Sequence, residues 1–343
     1  MSAAAGPTIR TLLVQGGDRA STDLLRVLQR DGDIAVVAQA DAAAAALDLV
    51  AGIRPHVVVL DLRTADGLLV IEQIMATVPT PILVLSSPAD DRRSPAVAEA
   101  LAAGALEALP VPGRWTDPLE HDLRRVVRQI RKVPVIRHPR GRIRIPAAVT
   151  VPAGDRFPVV GLAASTGGPS ALATVLSGLG GLRAPVLVVQ HLHPDFTGGL
   201  VDWMVRVSAL PVEVARAGQP ASPGRAYLAP GGHHLRLGAG GRLELTESPA
   251  SLHRPSADEL FGSLAERAGA AGTGVLLTGM GEDGARGLLE LHRAGGCTMA
   301  QDEASSAVFG MPQAAFRLGA VTDLLPLEKI AAAVHRAVAG VRA

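Results

Sequence analysis

The sequence predicts an α/β protein with two doubly wound parallel-sheet domains. Short apolar runs alternate with segments of helical periodicity through most of the chain, and one proline- and arginine-rich stretch interrupts the alternation. At 343 residues the chain has the length of two domains of ~150 residues each. We therefore expect domains at residues 1–132 and 155–343, joined by a linker at residues 133–154.

The first domain is predicted from five apolar runs that alternate with helical segments. Because a helical segment separates each run from the next, we expect parallel strands joined by right-handed crossovers. The runs cover residues 11–14, 34–38, 56–60, 82–85 and 105–109, and the helical segments cover residues 23–29, 42–50, 68–77, 95–103 and 118–131.

Basic residues and prolines dominate the stretch that follows. Arginine and lysine crowd residues 124–144, and Pro134, Pro139, Pro146 and Pro152 disfavour regular structure. A basic run is compatible with nucleic acid or an anionic lipid surface, but this one lacks interleaved aromatic residues. We interpret it as a solvated hinge.

A second α/β alternation begins at residue 157. Its tail, residues 327–341, has the pattern of a closing amphipathic helix. The strands are predicted at residues 159–163, 186–190, 212–215, 225–229 and 274–277, and the other helices at residues 170–176, 197–205, 256–268 and 285–294.

Composition excludes several classes of protein. The 33 Lys and Arg residues nearly balance the 32 Asp and Glu residues, so no overall charge favours binding to nucleic acid or to an anionic membrane. The single cysteine, Cys297, has no partner for an internal disulfide, and too few ligands surround it in sequence for a structural zinc site. We find no membrane-spanning apolar run and no signal-type start, and expect a cytoplasmic protein.

Ser165 lies at the junction between a predicted strand and a helix. Gly167 and Gly168 follow it, and the helix begins near Pro169. Such a turn lifts a hydroxyl out of the sheet and lets backbone N–H groups approach an anion, which suits a nucleophile. A helix-capping serine and a phosphate-binding loop have the same pattern, so this segment alone leaves all three open.

His191 follows the next predicted strand, at the edge where open α/β sheets bind ligands. An imidazole acts as both base and acid near neutral pH, although a lone histidine here also fits a structural role. His193 stands two residues further on, but no carboxylate motif accompanies the pair as a zinc site would require.

Asp283 follows a third strand, within a glycine-rich segment that precedes a helix. It either caps that helix, an interaction worth ~1 kcal/mol, or holds an imidazole in the correct tautomer. The backbone N–H groups of Met280 and Gly281 are candidates for an anion hole.

Together these segments place Ser165, His191 and Asp283 at the C-terminal ends of three strands of one sheet. A catalytic triad is recognised by geometry and roles, so this chain order is admissible, although in α/β-hydrolases the acid precedes the histidine. The three residues are therefore compatible with the triad of a serine hydrolase, while the capping and structural roles stay open.

The second half of the chain also resembles the chemotaxis protein-glutamate methylesterase family, almost continuously from about residue 157 to residue 338. The motifs that carry the resemblance are 161–168 (GLAASTGG), 190–191 (QH), 196–197 (FT), 229–231 (APG), 253–256 (HRPS), 277–285 (LTGMGEDGA), 300–301 (AQ), 303–305 (EAS) and 309–312 (FGMP).

The resemblance implies a role for each residue of the triad. Ser165 is the expected nucleophile, His191 the general base and then acid, and Asp283 the orienting carboxylate. The backbone N–H groups of Thr166 and Met280 are the expected oxyanion donors. The reaction implied is hydrolysis of glutamate γ-methyl esters on the signalling helices of methyl-accepting chemoreceptors, with glutamine deamidation in many members, and it needs no metal or organic cofactor.

Two further residues, His253 and Arg254, lie on a loop before a predicted helix. They are candidates for lining the substrate groove. Capping of the surface at the start of that helix explains them equally well.

The first domain resembles the receiver domains of two-component response regulators, which are flavodoxin-type folds. Asp61 stands where the resemblance places the phosphoacceptor, and Ser86 takes the hydroxyl position. However, Gln15 begins the segment where an acidic pair that binds Mg²⁺ is expected, Asp18 is displaced from that position, and Val111 replaces the expected lysine.

These losses predict a pseudo-receiver that is not phosphorylated in the usual Mg²⁺-dependent way, because most of the charge compensation for an aspartyl phosphate is missing. A weak metal site formed by Asp61 and Asp18 is the alternative. The resemblance further implies contact with a histidine kinase through this domain, and inhibition of the esterase by the unphosphorylated receiver.

Two other functions remain open from the sequence. One is a non-catalytic scaffold, which the intact Ser165, His191 and Asp283 argue against. The other is a serine hydrolase of a signalling system not devoted to motility, which the altered receiver-like domain favours. In each case we expect no nucleic-acid partner and no membrane insertion.

Overall fold

The structure, a computed structural model, describes residues 8–15, 20–64, 66–86, 95–133, 135 and 158–340. The chain divides into two compact units, residues 1–140 and 141–343. Residues 136–154 of the proposed linker, and Asp18, lie outside the described residues.

The first unit contains one parallel sheet with helices between its strands. Its strands are β1 (Ile9–Val14), β2 (Ile34–Ala40), β3 (Val57–Asp61), β4 (Ile82–Ser86) and β5 (Glu107–Pro110), and its helices are α1 (Ala20–Gln29), α2 (Ala43–Ile53), α3 (Gly67–Thr77), α4 (Ala96–Ala102) and α5 (Asp117–Ile130).

The strand order in this sheet is β2-β1-β3-β4-β5. This is the flavodoxin-type order, and the topological switch between β1 and β3 places Asp61 at the C-terminal edge. Strands β3 and β4 are buried along their whole length, as expected for apolar runs covered by helices on both faces. The predicted fold of the first unit is confirmed.

The basic run that we assigned to a solvated hinge begins inside α5. There Arg124 is 4% exposed and its Nε donates to an Asp31 carboxylate oxygen at 2.8 Å, while Arg128 Nε donates to Asp33 at 2.7 Å. These two arginines are ion-paired to the turn that follows α1. The interpretation as a solvated hinge is therefore wrong for them, because tertiary contacts bring acidic partners that are far away in sequence.

The second unit has a larger sheet. Its strands are β6 (Val159–Ala164), β7 (Val186–Gln190), β8 (Val212–Val214), β9 (Ala226–Leu228), β10 (His234–Leu237), β11 (Leu243–Thr246), β12 (Gly272–Leu276), β13 (Cys297–Gln301) and β14 (Asp323–Leu325), and its helices are α6 (Gly168–Ser177), α7 (Thr197–Val207), α8 (Ala257–Arg267), α9 (Ala285–Arg293), α10 (Met311–Arg317) and α11 (Leu327–Val338).

Seven of these strands form a parallel sheet in the order β14-β13-β12-β6-β7-β9-β8, whereas β10 and β11 form a separate antiparallel pair. Strand β6 lies at the centre, and all six of its residues are buried. Its neighbours are β7 and β12, so the three strand ends that carry the predicted triad are adjacent.

Strands β10, β11, β13 and β14 and helix α10 are not predicted from the sequence. Strands β10 and β11 alternate polar and apolar residues over only four positions, and β14 has three residues at the edge of the sheet. Strand β13 is buried over four of its five residues, although its sequence, CTMAQ, includes the polar residues Thr298 and Gln301 and no Val, Ile or Leu. Short or polar segments such as these give little periodic signal, and their partners in the sheet stabilise them instead.

None of the helices in the described part of the chain is both long enough and apolar enough to cross a bilayer.

Candidate active site

The central strands of the second unit bring two of the predicted residues to neighbouring positions. Ala164 of β6 pairs with Gln190 of β7, and Ser165 and His191 are the next residues on each strand. The backbone N–H of His191 donates to the Ala164 carbonyl at 3.1 Å. Parallel pairing therefore sets Ser165 and His191 side by side at the C-terminal edge of the sheet.

Ser165 lies between this edge and the loop that follows β12. Its backbone N–H donates to the Thr278 carbonyl at 3.0 Å, and the residue is 9% exposed. Its Cβ lies so near Gly279 that a Cβ at Gly279 would meet it at 2.8 Å. The absence of a side chain at Gly279 thus lets the loop approach the proposed nucleophile closely.

Asp283 and His191 are joined by a direct hydrogen bond. The distance between His191 Nε2 and Asp283 Oδ2 is 2.8 Å, and their side chains are 8% and 11% exposed. At this distance Nε2–H donates to the carboxylate, which fixes the tautomer of the imidazole.

The remaining acceptor positions of Asp283 are filled by the start of α8. The backbone N–H groups of Ala257 and Asp258 donate to it at 2.7 and 3.1 Å, and the Ser256 hydroxyl donates at 2.8 Å. Asp283 therefore caps a helix that precedes it in sequence, while Gly284 occupies the N-cap position of the helix that follows it.

These contacts keep the carboxylate of Asp283 ionised. Burial by itself would raise its pKa, but the hydrogen bond and charge of His191, together with the donors on α8, hold the pKa of Asp283 well below its usual range. An ionised carboxylate stabilises an imidazolium, so the pair is suited to general base catalysis.

The other ring nitrogen of His191 is the one available for proton transfer. Among the described residues, His191 Nδ1 is buried and has no hydrogen-bond partner. Since Nε2 is held by Asp283, Nδ1 is the atom that can accept a proton from a hydroxyl at the sheet edge.

Two peptide planes near Ser165 have a defined orientation. The Ser165 carbonyl accepts from the Gly168 N–H at 2.8 Å and from Gln190 Nε2 at 2.9 Å. The Gly279 carbonyl accepts from the N–H groups of Gly310 and Met311 at 3.1 and 2.9 Å. In a planar trans peptide the next N–H points the opposite way, so those of Thr166 and Met280 point away from these partners.

His253 and Arg254 differ in their surroundings. The ring of His253 stacks on the ring of His191, with centroids 4.1 Å apart and an interplanar angle of 10°. Arg254 instead forms an ion pair with Glu247 at 3.9 Å. The structure thus brings His253 against the proposed triad, whereas the contact of the Arg254 guanidinium is with Glu247.

The residues that hold Asp283 and its loop in place were not identified from the sequence. Ser256 was part of a motif without an assigned role; it occupies the N-cap position of α8, but its hydroxyl donates to Asp283 rather than accepting from the helix, and no local sequence signal indicates this. His234, which is fully buried on β10, was not noticed, because β10 itself was not predicted.

In the first unit, the side chain of Asp61 is 8% exposed and is engaged by Arg63. Arg63 Nη2 donates to Asp61 Oδ2 at 2.7 Å, Arg63 Nε donates to both carboxylate oxygens at 3.1 and 3.2 Å, and the Arg63 backbone N–H donates to Oδ1 at 2.9 Å. Gln15 and Ser86 are also buried at strand ends on this edge. The contact between Arg63 and Asp61 was not predicted from the sequence.

No group of three or more His, Cys, Asp and Glu side chains within the described ranges is arranged to hold a metal ion.

Comparisons with known proteins cover both units. Residues 160–334 match the family model described as CheB methylesterase. The "Protein-glutamate methylesterase/protein-glutamine glutaminase 2" of Anaeromyxobacter dehalogenans is 44% identical over 342 residues, which is 98% of this chain and 99% of the relative. The "Protein-glutamate methylesterase/protein-glutamine glutaminase 3" of Myxococcus xanthus is 41% identical over 330 residues, covering 93% and 91%.

Among solved structures, the catalytic domain of the Thermotoga maritima CheB methylesterase is similar to the second unit. It is 34% identical, with a TM-score of 0.51, and the match covers 52% of this chain and 98% of that domain. The chain belongs to the CheB methylesterase family, as its motifs predicted.

Proposed function

We propose that this chain is a protein-glutamate methylesterase that uses Ser165, His191 and Asp283 as its catalytic triad. The observation that carries the proposal is the 2.8 Å contact between His191 and Asp283 beside Ser165, at the C-terminal edge of the sheet. The names of the relatives support the choice of substrate.

In the proposed acylation step, His191 Nδ1 removes the proton from the Ser165 hydroxyl as Ser165 Oγ attacks the carbonyl carbon of the methyl ester. The ester carbonyl becomes a tetrahedral oxyanion. Protonated His191 then gives its proton to the departing methoxide, so methanol leaves and a glutamyl ester of Ser165 remains.

In the proposed deacylation step, His191 Nδ1 activates a water molecule that attacks this acyl-enzyme. The products are the free glutamate carboxylate and the regenerated Ser165. Asp283 stays ionised throughout, because its hydrogen bonds keep its pKa low, and it stabilises the imidazolium formed in each step.

The backbone N–H groups of Thr166 and Met280 are the proposed oxyanion donors. Both belong to peptides whose carbonyls are turned towards other partners. Thr166 directly follows the proposed nucleophile, and Met280 follows Gly279, which lies close to the Ser165 side chain. Two preorganised amides of this kind stabilise charge where it develops in the transition state.

A glutamine side chain has the same planar carbonyl, with ammonia as the leaving group. We propose deamidation of glutamine as a second activity of the same site, in keeping with the names of the relatives. The proposed macromolecular substrate is the signalling helix of a methyl-accepting chemoreceptor.

For the first unit we propose a receiver-like domain that is not phosphorylated in the usual Mg²⁺-dependent way. Arg63 already supplies a cation to Asp61, and Gln15 provides no carboxylate for a metal. Contact with a histidine kinase through this domain remains part of the proposal, as does the division into domains at residues 1–132 and 155–343.

The triad is tested by Ser165→Ala. We expect methanol release from methylated receptor membranes to fall by a factor on the order of 10⁵–10⁶, because removing the nucleophile removes the acyl-enzyme route. Labelling by a fluorophosphonate should disappear, and the thermal unfolding temperature should stay within a few degrees of wild type.

A Ser165→Ala variant that retains a tenth of the wild-type rate would contradict the assignment. A wild-type protein that is labelled at Ser165 but releases no methanol would instead be a serine hydrolase with another substrate. Failure of labelling altogether would favour the scaffold.

A further inference from the structure

The imidazole of His253 covers one face of the His191 ring. The two rings are nearly parallel, at 10°, with centroids 4.1 Å apart. Leu252, the preceding residue, is 93% exposed, so the loop lies at the surface while His253 lies against the proposed base. The loop is therefore exposed at Leu252, while the next side chain along it packs against the imidazole of the proposed base.

The loop that carries His253 is held at both ends by His234. This residue is 0% exposed, and both of its ring nitrogens are used. Nε2–H donates to the Pro249 carbonyl at 2.9 Å, and Nδ1 accepts from the Ser256 N–H at 3.1 Å. Ser256 in turn donates to Asp283. The segment that carries His253 is therefore anchored to the carboxylate that holds His191.

The hydrogen bond to Asp283 fixes one atom of His191 but not the plane of its ring. An imidazole held only at Nε2 can still tilt about that contact, and a tilt moves Nδ1 relative to the Ser165 hydroxyl. A parallel ring at 4.1 Å opposes this tilt and keeps water from one face. Misplacement of a reacting atom by about 1 Å can cost on the order of 100-fold in rate.

We infer that His253 is a positioning residue, which fixes the plane of the His191 imidazole by ring stacking so that Nδ1 faces Ser165. This inference rests on the proposed triad and adds a residue to it. It differs from the groove-lining role expected from sequence, since a residue that only touches substrate changes KM, whereas one that orients the base changes kcat.

The test compares His253→Phe with His253→Leu in the full-length protein. Phenylalanine keeps a flat ring but loses the imidazole nitrogens, whereas leucine keeps an apolar side chain without a ring. Leu252→Ala is the matched control, because Leu252 is the neighbouring loop residue and is almost fully exposed. The readouts are kcat and KM for methanol release and the rate of fluorophosphonate labelling at Ser165.

We expect His253→Phe to keep kcat and the labelling rate within about threefold of wild type, and His253→Leu to lower both by about tenfold or more with little change in KM. Leu252→Ala should match wild type. Equal thermal unfolding temperatures of the two His253 variants would show that the difference is not one of folding.

Equal rates for the Phe and Leu variants would overturn the stacking role, and so would a rise in KM with unchanged kcat. If the methyl ester is not the substrate, the wild-type protein is labelled at Ser165 but releases no methanol. The labelling rates of the variants then still decide the role of His253. A wild-type protein whose Ser165 is not labelled at all overturns the triad and the positioning role with it.

Discussion

Asp283 links the proposed catalytic base to the fold. One carboxylate oxygen accepts from His191, and both accept from the first residues of α8. The partial positive charge of a helix N-terminus and the buried N–H groups stabilise the ionised form. The residue therefore contributes to stability as well as to the proposed chemistry.

Asp283→Asn tests this contribution through pH. The pKa of Asp283 is depressed in the folded state, so its ionisation stabilises the fold at any pH above the ordinary carboxyl pKa of 3.8. This stabilisation is lost progressively as the pH falls below 3.8 towards the depressed pKa of the folded state. We expect the variant to lose about 2 kcal/mol of unfolding free energy at pH 7. The loss should shrink towards pH 2.5.

Urea unfolding of both proteins from pH 7 to pH 2.5 measures this difference. A difference that is independent of pH would show that the carboxylate charge is not what stabilises the folded state.

Asp61 is also a buried carboxylate, but it is paired with an arginine rather than with a proposed catalytic group. Arg63 is two residues away and donates to both of its oxygens. We expect no stable phosphoryl adduct on the full-length protein after incubation with acetyl phosphate and Mg²⁺, as measured by intact mass. Asp61→Asn is the control, and an adduct that appears only in wild type would contradict the proposed pseudo-receiver.

At the scale of elements, the turn from β6 into α6 places Ser165 at the sheet edge. Gly167 is the N-cap residue of α6 and has φ +76°, a left-handed conformation that favours glycine. A Cβ at Gly167 would also lie 2.6 Å from the Cβ of Ala307, in the segment before α10. Conformation and packing both require glycine here.

Gly167→Ala is expected to be more destabilising than Gly218→Ala. Gly218 has the same φ of +76°, but no atom lies within 4 Å of the place that a Cβ would take, so its substitution reports only the cost of the conformation, about 1 kcal/mol. Gly167→Ala adds a packing clash worth about 1–3 kcal/mol.

Chemical denaturation of the two variants provides the comparison, and methanol release should fall only for Gly167→Ala. Equal losses of unfolding free energy in the two variants would contradict the expected clash, because they would show that the segment around Ala307 moves aside without destabilising the fold.

At the scale of the whole molecule, the chain combines two α/β units of different strand order. Its relatives from Anaeromyxobacter and Myxococcus are similar over nearly their full length, so both units are shared with them. The match to the solved Thermotoga catalytic domain covers 98% of that domain and 52% of this chain, so that structure has no counterpart of the first unit.

Removal of residues 1–150 should therefore leave a folded catalytic unit, and we expect its rate of methanol release to exceed that of the full-length protein. This expectation comes from the resemblance to receiver-regulated esterases, which implies that the first unit inhibits the esterase activity of the second. Assays of both forms at equal concentration check this, with Ser165→Ala in each as the blank. An unchanged rate would contradict inhibition.

Local patterns in the sequence were enough to predict the alternation of strands and helices and the positions of Ser165, His191 and Asp283 at strand ends. Periodicity and glycine-rich turns are local properties, so they can be recognised without a structure. Strand β13, which mixes apolar and polar residues, and the short strands β10 and β14 were missed, because their stability comes from neighbours that are distant in sequence.

The contacts that each side chain of the site makes are seen only in the folded structure. Asp283 caps α8 rather than α9, His191 presents Nδ1 rather than Nε2, and His253 stacks on the proposed base. In the first unit, Arg63 pairs with Asp61. Hydrogen bonds and ring contacts depend on distances of a few ångströms between side chains, and these are set by packing rather than by spacing along the chain.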